Sequence, residues 1–136
     1  MMGARIGRNV TVRGGFQVLD GFDITIGQDS FINSHCSFDA SASIVIGRNV
    51  CISYEVTIVT GTHEIGPHAQ RTGAFQTKSV VIEDGAWIGA RTVILPGVTI
   101  GAGAVIGAGS LVTKSIPSDC VAFGAPAKVV RELEPS

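Results

Sequence analysis

Three histidines, His35, His63 and His68, and three cysteines, Cys36, Cys51 and Cys120, are the side chains best suited to proton transfer, nucleophilic attack or metal binding in this 136-residue chain. His63 stands in TGTHEIG, where an imidazole with a proton affinity near neutrality could deprotonate an attacking hydroxyl. The same histidines could instead serve as zinc ligands. The cysteines are odd in number and lack CxxC spacing, and no signal peptide precedes them. They therefore suggest a reducing, cytoplasmic setting rather than a disulfide framework.

Those side chains need a scaffold, and composition narrows the choice. Ten Lys plus Arg against eleven Asp plus Glu leave a net charge of -1, so neither a nucleic-acid footprint nor a basic membrane-binding face is expected. Only 15% of residues are charged and the mean hydropathy is +0.39. Such a chain either crosses a membrane or hides apolar surface in a stack of repeats and an oligomer interface. The uncharged stretch 92–113 is long enough to span. Pro96 and the glycines Gly97, Gly101, Gly103, Gly107 and Gly109 make it a poor helix.

The apolar residues recur every six positions. From Ile82 the chain reads IEDGAW, IGARTV, ILPGVT, IGAGAV, IGAGSL, VTKSIP; earlier come IGRNVT, IGQDSF, INSHCS, FDASAS, IGRNVC and ISYEVT. The fifth residue of each six is small or β-branched, and Cys36 fits that position as an inert filler. Cys51 is read in the same way. The phase slips by two residues near Ile24–Ile26 and again near Ile44–Ile46. A step of six walks an apolar residue off any helix face, whereas it is compatible with the two-residue alternation of a strand. Short parallel strands wound into coils, each burying its apolar edge on the next, satisfy the pattern. One all-β domain, 1–136, follows.

One interval, about 59–78, breaks the sixes with VTGTHEIGPHAQRTGAFQTK and is read as a loop thrown out of the coil, the more so because long excursions from compact repeats tend to be functional. At the other end Pro126 and the helix-favouring residues after it suggest a short helical cap over about 126–134.

The [LIV]-[GAD]-x-x-[small]-x repeat, TGTHEIG, the run from VIEDGAWIGA to VTKSIP and the closing GAPAKVV resemble the hexapeptide-repeat acetyltransferases, closest to the galactoside, maltose and xenobiotic group. The resemblance implies a left-handed parallel β-helix, a homotrimer and acetyl-CoA as co-substrate with no metal. It implies His63 as catalytic base and Asn33 beside the acceptor, with Trp87 along the cofactor groove. It further implies Ala90 and Ala108 against the pantetheine arm, Thr113 and Lys114 at the nucleotide end, and Lys128 and Arg131 near its phosphates. The acceptor is expected to be a sugar or another small hydroxylated molecule. The acidic residue that the galactoside enzymes place near the acceptor is replaced around Ser41. Entry into the repeats at Ile6, with no helical segment before them, looks more like the acetyltransferases of exopolysaccharide or capsule synthesis. Two readings compete: the γ-class carbonic anhydrases share this fold and bind zinc between subunits through three histidines, and a non-catalytic β-helix scaffold would need no His63 or Lys114.

Overall fold

The computed structural model describes residues 3–135. The chain winds in coils of three short strands. The first coil holds β1 (Arg5–Ile6), β2 (Thr11–Val12) and β3 (Gln17–Leu19), the second β4 (Ile24–Ile26), β5 (Phe31–Ile32) and β6 (Ser37–Asp39), and the third β7 (Ile44–Ile46), β8 (Cys51–Ile52) and β9 (Thr57–Ile58). There the coil opens into a hairpin, β10 (Gly61–Ile65) and β11 (Thr72–Thr77). Coiling resumes with β12 (Val80–Ile82), β13 (Trp87–Ile88) and β14 (Val93–Ile94), then β15 (Thr99–Ile100), β16 (Val105–Ile106) and β17 (Leu111–Val112). The chain closes with β18 (Cys120–Gly124) and β19 (Ala127–Glu132).

Equivalent strands of successive coils pair in parallel and make three faces: face I is β1-β4-β7-β12-β15, face II runs from β2 through β5, β8, β13 and β16 to β18, and face III is β3-β6-β9-β14-β17. The register sets equivalent residues in columns. Ile26 lies on Ile46, Ile46 on Ile82 and Ile82 on Ile100, and Ile32, Ile52, Ile88 and Ile106 form the matching column of face II. All are buried. Their first-coil counterparts Ile6 and Val12 are 53% and 41% exposed, because among the described residues no coil lies beneath them.

The period of six thus marks one inward residue per face, and the small fifth residue marks the inside of a corner. Ser30, Thr92 and Ser110, buried at such corners, donate their hydroxyls to the carbonyls of Gly47, Gly89 and Gly107, which removes the cost of burying them. Asn9 and Asn49 stand at corners with φ near +56° and +54°, a conformation asparagine tolerates better than most residues.

Two expectations need correction. The segment expected to form a helix over 126–134 is strand: β19 pairs antiparallel with β18, Val121 opposite Arg131 and Phe123 opposite Lys128. Without a partner, β18 would leave its outer edge of N–H and C=O groups unpaired, and the β-branched Val129 and Val130 suit a strand that covers it. A free-standing helix of this length would be marginal. Cys51 is not an inward filler but faces outward on face II between Phe31 and Trp87, exposed. Among the described residues no helix is long and apolar enough to cross a membrane.

The columns make a stability prediction. Ile52→Ala, in the middle of the stack, should lower the unfolding free energy by roughly 2–5 kcal/mol in denaturant titrations, whereas the exposed Glu83→Ala should change it by less than about 0.5 kcal/mol. Equal effects would contradict the column assignment.

Candidate active site

Up to β17, every departure from a regular coil among the described residues occurs at the corner between face III and face I. From Ile6 to Ile26 and from Ile26 to Ile46 a coil takes 20 residues, against 18 from Ile82 to Ile100. The extra residues fall in the turns after Leu19 and Asp39. One coil higher, the same corner releases the β10–β11 hairpin. The two phase slips and the excursion are therefore stacked, and they leave a cavity of about 450 Å³ lined by Asp20, Asp39, Ser41, Gly61, His63 and Phe75.

His63 sits on β10 opposite Phe75, whose ring it meets edge-on at 5.3 Å between centroids. Beyond His63 the register shifts before Ile65 pairs with Thr72. At that irregularity a Cβ on Gly73 would lie 2.7 Å from the Glu64 carbonyl oxygen, so only glycine permits this approach of the two strands. The Gly73 carbonyl in turn lies 2.9 Å from His63 Nδ1. A carbonyl can only accept, so Nδ1 carries the proton and donates it, and Nε2 of the neutral ring is left as acceptor.

Asp39 lies below the hairpin. Its Oδ1 accepts from the Ser41 N–H (3.0 Å) and hydroxyl (2.6 Å), and its Oδ2 from the N–H groups of Gly61 (2.9 Å) and Thr60 (3.3 Å). Partial burial pushes its carboxyl up, but the hydrogen bonds from Ser41, Gly61 and Thr60 outweigh burial and hold it below the usual aspartate range. Neither Asp39 nor Phe75 carries a motif of its own; the signal that could have found them is the slip beside Asp39 and the excursion around Phe75.

A fold and site of this kind can be compared with known proteins. The bacterial transferase hexapeptide model (six repeats) matches residues 79–114. The galactoside O-acetyltransferase of Lactococcus lactis is 39% identical over 99% of this chain and 66% of its own length. A hexapeptide-repeat acetyltransferase of Vibrio cholerae, solved with acetyl coenzyme A, superposes with a TM-score of 0.90 at 34% identity, covering 98% of this chain and 72% of that one. A maltose O-acetyltransferase of Clostridium difficile gives 0.90 at 38%, over 96% and 70%. The chain belongs to the hexapeptide-repeat acetyltransferases. It spans about half to two thirds of the length of the curated relatives it matches.

The residues that resemblance to this family singled out fall into three places. His63 is at the III/I corner. Asn33, Ala90 and Ala108 lie at the II/III corner, in a backbone column where the Glu55 N–H donates to Ser34, that of Arg91 to Tyr54 and that of Gly109 to Ala90. The Asn33 side chain accepts from the Ser34 N–H at 2.8 Å. Trp87 faces outward on face II, 54% exposed, with Nε1–H donating to Ser53 Oγ at 3.4 Å. Lys128 and Arg131 are on β19 at the edge of face II. Thr113 and Lys114 follow β17 at the III/I corner, exposed. One copy of the chain therefore does not bring Asn33 or Trp87 to His63. His35 turns the II/III corner at φ +64° while His68 lies at the hairpin tip, and among the described residues no three His, Cys, Asp or Glu side chains converge as metal ligands.

The depressed Asp39 acidity fixes a pH window. A carboxyl held below its unfolded value of about 3.9 contributes stability that is complete above that pH and is lost as pH falls through the lower folded value. The amide resonances of Ser41 and Gly61 should therefore titrate together with a midpoint below about 3.9. A midpoint above about 4.5 would contradict the bonded geometry.

Proposed function

We propose that this protein is an acetyl-CoA-dependent O-acetyltransferase of a sugar or other small hydroxylated acceptor, with His63 as general base. The observation that carries the reading is the His63 ring at the mouth of the III/I cavity with its Nδ1–H committed to Gly73. Nε2 takes the proton of the acceptor hydroxyl as the oxygen bonds to the thioester carbonyl carbon. The C–S bond then breaks, and the coenzyme A sulfur leaves with the proton from the imidazolium. Positioning and proton removal supply the catalysis, with no acyl-enzyme. The galactoside and maltose enzymes among the relatives support a sugar, and the Vibrio relative bound to acetyl coenzyme A supports the donor. Trp87, Ala90, Ala108, Thr113, Lys114, Lys128 and Arg131 are proposed to line the donor groove and Asn33 to meet the acceptor.

Placement on different corners supports a homotrimer. For Asn33 and His63 to share a site, the II/III corner of one copy must face the III/I corner of the next, and such a heterologous contact between three-sided prisms makes a three-membered ring when its rotation closes around a threefold axis. Ile65 and Phe75 on the hairpin, 87% and 59% exposed, together with Trp87, give that contact an apolar centre. A cytoplasmic location fits the free thiols.

Screening acetyl-CoA consumption against sugars, sugar nucleotides, serine and amines should reveal a hydroxylated acceptor. With it, His63→Ala should lose roughly 10²- to 10⁴-fold in kcat with little change in KM for acetyl-CoA, while Lys114→Ala should chiefly raise that KM and His68→Ala should be nearly silent. If His68→Ala is as damaging as His63→Ala and both losses track zinc content, the zinc enzyme is the better reading. Light scattering should give three times the 14.0 kDa chain mass; a monomer would contradict the shared site.

A further inference from the structure

We propose that Asp39 is a positioning residue for the reaction: its carboxylate clamps the root of the β10–β11 hairpin to the coil below and so decides where the His63 imidazole stands. The inference rests on the assignment of His63 as base. A two-stranded hairpin is marginal by itself, and beyond its root β10 pairs only with β11. Its direction is therefore set where it leaves the coil.

That root is densely bonded. Besides the four donors on the Asp39 carboxylate, the Thr60 hydroxyl donates to the Asp39 carbonyl (2.8 Å) and accepts from the Ala42 N–H (2.8 Å), and the Lys78 N–H closes the far strand onto the Thr60 carbonyl (2.9 Å). Thr60 is fully buried. A Cβ on Gly61 would come within 3.1 Å of both Asp39 Oδ2 and the Phe75 ring, so carboxylate, hairpin backbone and the aromatic partner of His63 are in close apposition. Gly61 precedes His63 by two residues on the same strand. A small change at the carboxylate is carried to the imidazole through that rigid length.

Two alternatives explain less. An acceptor-binding carboxylate needs lone pairs facing the cavity, yet two donors already occupy each Asp39 oxygen, close to what a carboxylate accepts. A general support for folding fails to account for bonds that join residues 39–42 to 60–61 and bypass the parallel ladder. Charge matters to the clamp, because bonds from N–H to an ionised carboxylate are about twice as strong as neutral ones. Asn at this position keeps the shape while turning an NH₂ group toward N–H donors.

The test uses Asp39→Asn in the assembled protein, with amide hydrogen exchange, acetyl-CoA titration calorimetry and steady-state kinetics on the acceptor found by screening. Exchange across 60–77 should accelerate about tenfold or more while β12 to β17 keep their protection. Turnover should fall roughly 10- to 100-fold with acetyl-CoA affinity and KM nearly unchanged. Adding Asp39→Asn to His63→Ala should cost no further turnover, because a residue that acts through the imidazole has nothing left to act on. Should Asp39→Asn fail to fold, Ser41→Ala, which removes one bond of the clamp, should shift exchange and turnover in the same direction and less far. Unchanged hairpin exchange in these variants, or losses from Asp39→Asn and His63→Ala that multiply, would overturn the proposal. Full turnover in His63→Ala would overturn the base assignment instead, leaving the exchange result to judge the clamp alone.

Discussion

The parallel ladder between coils governs everything else in this molecule. Each strand gives its N–H and C=O groups to the coils before and after it, so Thr25 must lie on Val45 and Val45 on Val81. A residue inserted within a strand would turn every following side chain to the opposite face and bring polar groups into the column of isoleucines. Extra chain can leave only at a corner. A coil consequently has very few places to carry anything but itself, and those places are aligned along the stack.

At the corner between faces III and I the chain uses that freedom three times in succession. Two turns are longer by two residues each, and the third is a hairpin; together they build a cavity from residues otherwise destined to be corner fillers. Its chemistry follows from backbone geometry more than from side-chain density. The Gly73 carbonyl dictates which imidazole nitrogen is free, and Gly73 can stand there because it has no Cβ. Backbone N–H groups at the hairpin root, together with Ser41, keep Asp39 ionised. The C-terminal end of the stack solves a different problem, since β19 covers an edge that would otherwise invite another chain.

Most of this architecture is legible in the period of six, because one isoleucine per face and one small residue per corner are direct consequences of burial. The hand of the helix is not in the period and comes from family resemblance. The phase slips near Ile24–Ile26 and Ile44–Ile46 are visible, yet their meaning depends on which corner they share with the excursion, and that emerges only once coils are stacked. Asp39 is illegible for the same reason, since its partners are a serine two residues on and a backbone more than twenty residues away. The closing strand reads as helix because Pro126 and helix-favouring residues compete locally with the open edge of β18, and the edge wins through a contact that local propensity does not see. Cys51 escapes a count of small residues that does not ask which of two alternating positions is inward. His63 stands out in the sequence because its run matches the family; that Asn33 lies on another corner does not.

The central claim is that this corner of one copy, facing the next, forms the acetyl-transfer site around His63. A crystal structure of the assembled protein grown with acetyl-CoA and the acceptor found by screening tests it most directly. The account predicts the acceptor oxygen at hydrogen-bond reach, about 2.6–3.2 Å, of His63 Nε2 and facing the thioester carbonyl carbon, with the pantetheine arm running between two copies past Ala90 and Ala108. A thioester bound far from every His63, or held wholly within a single copy, would contradict it.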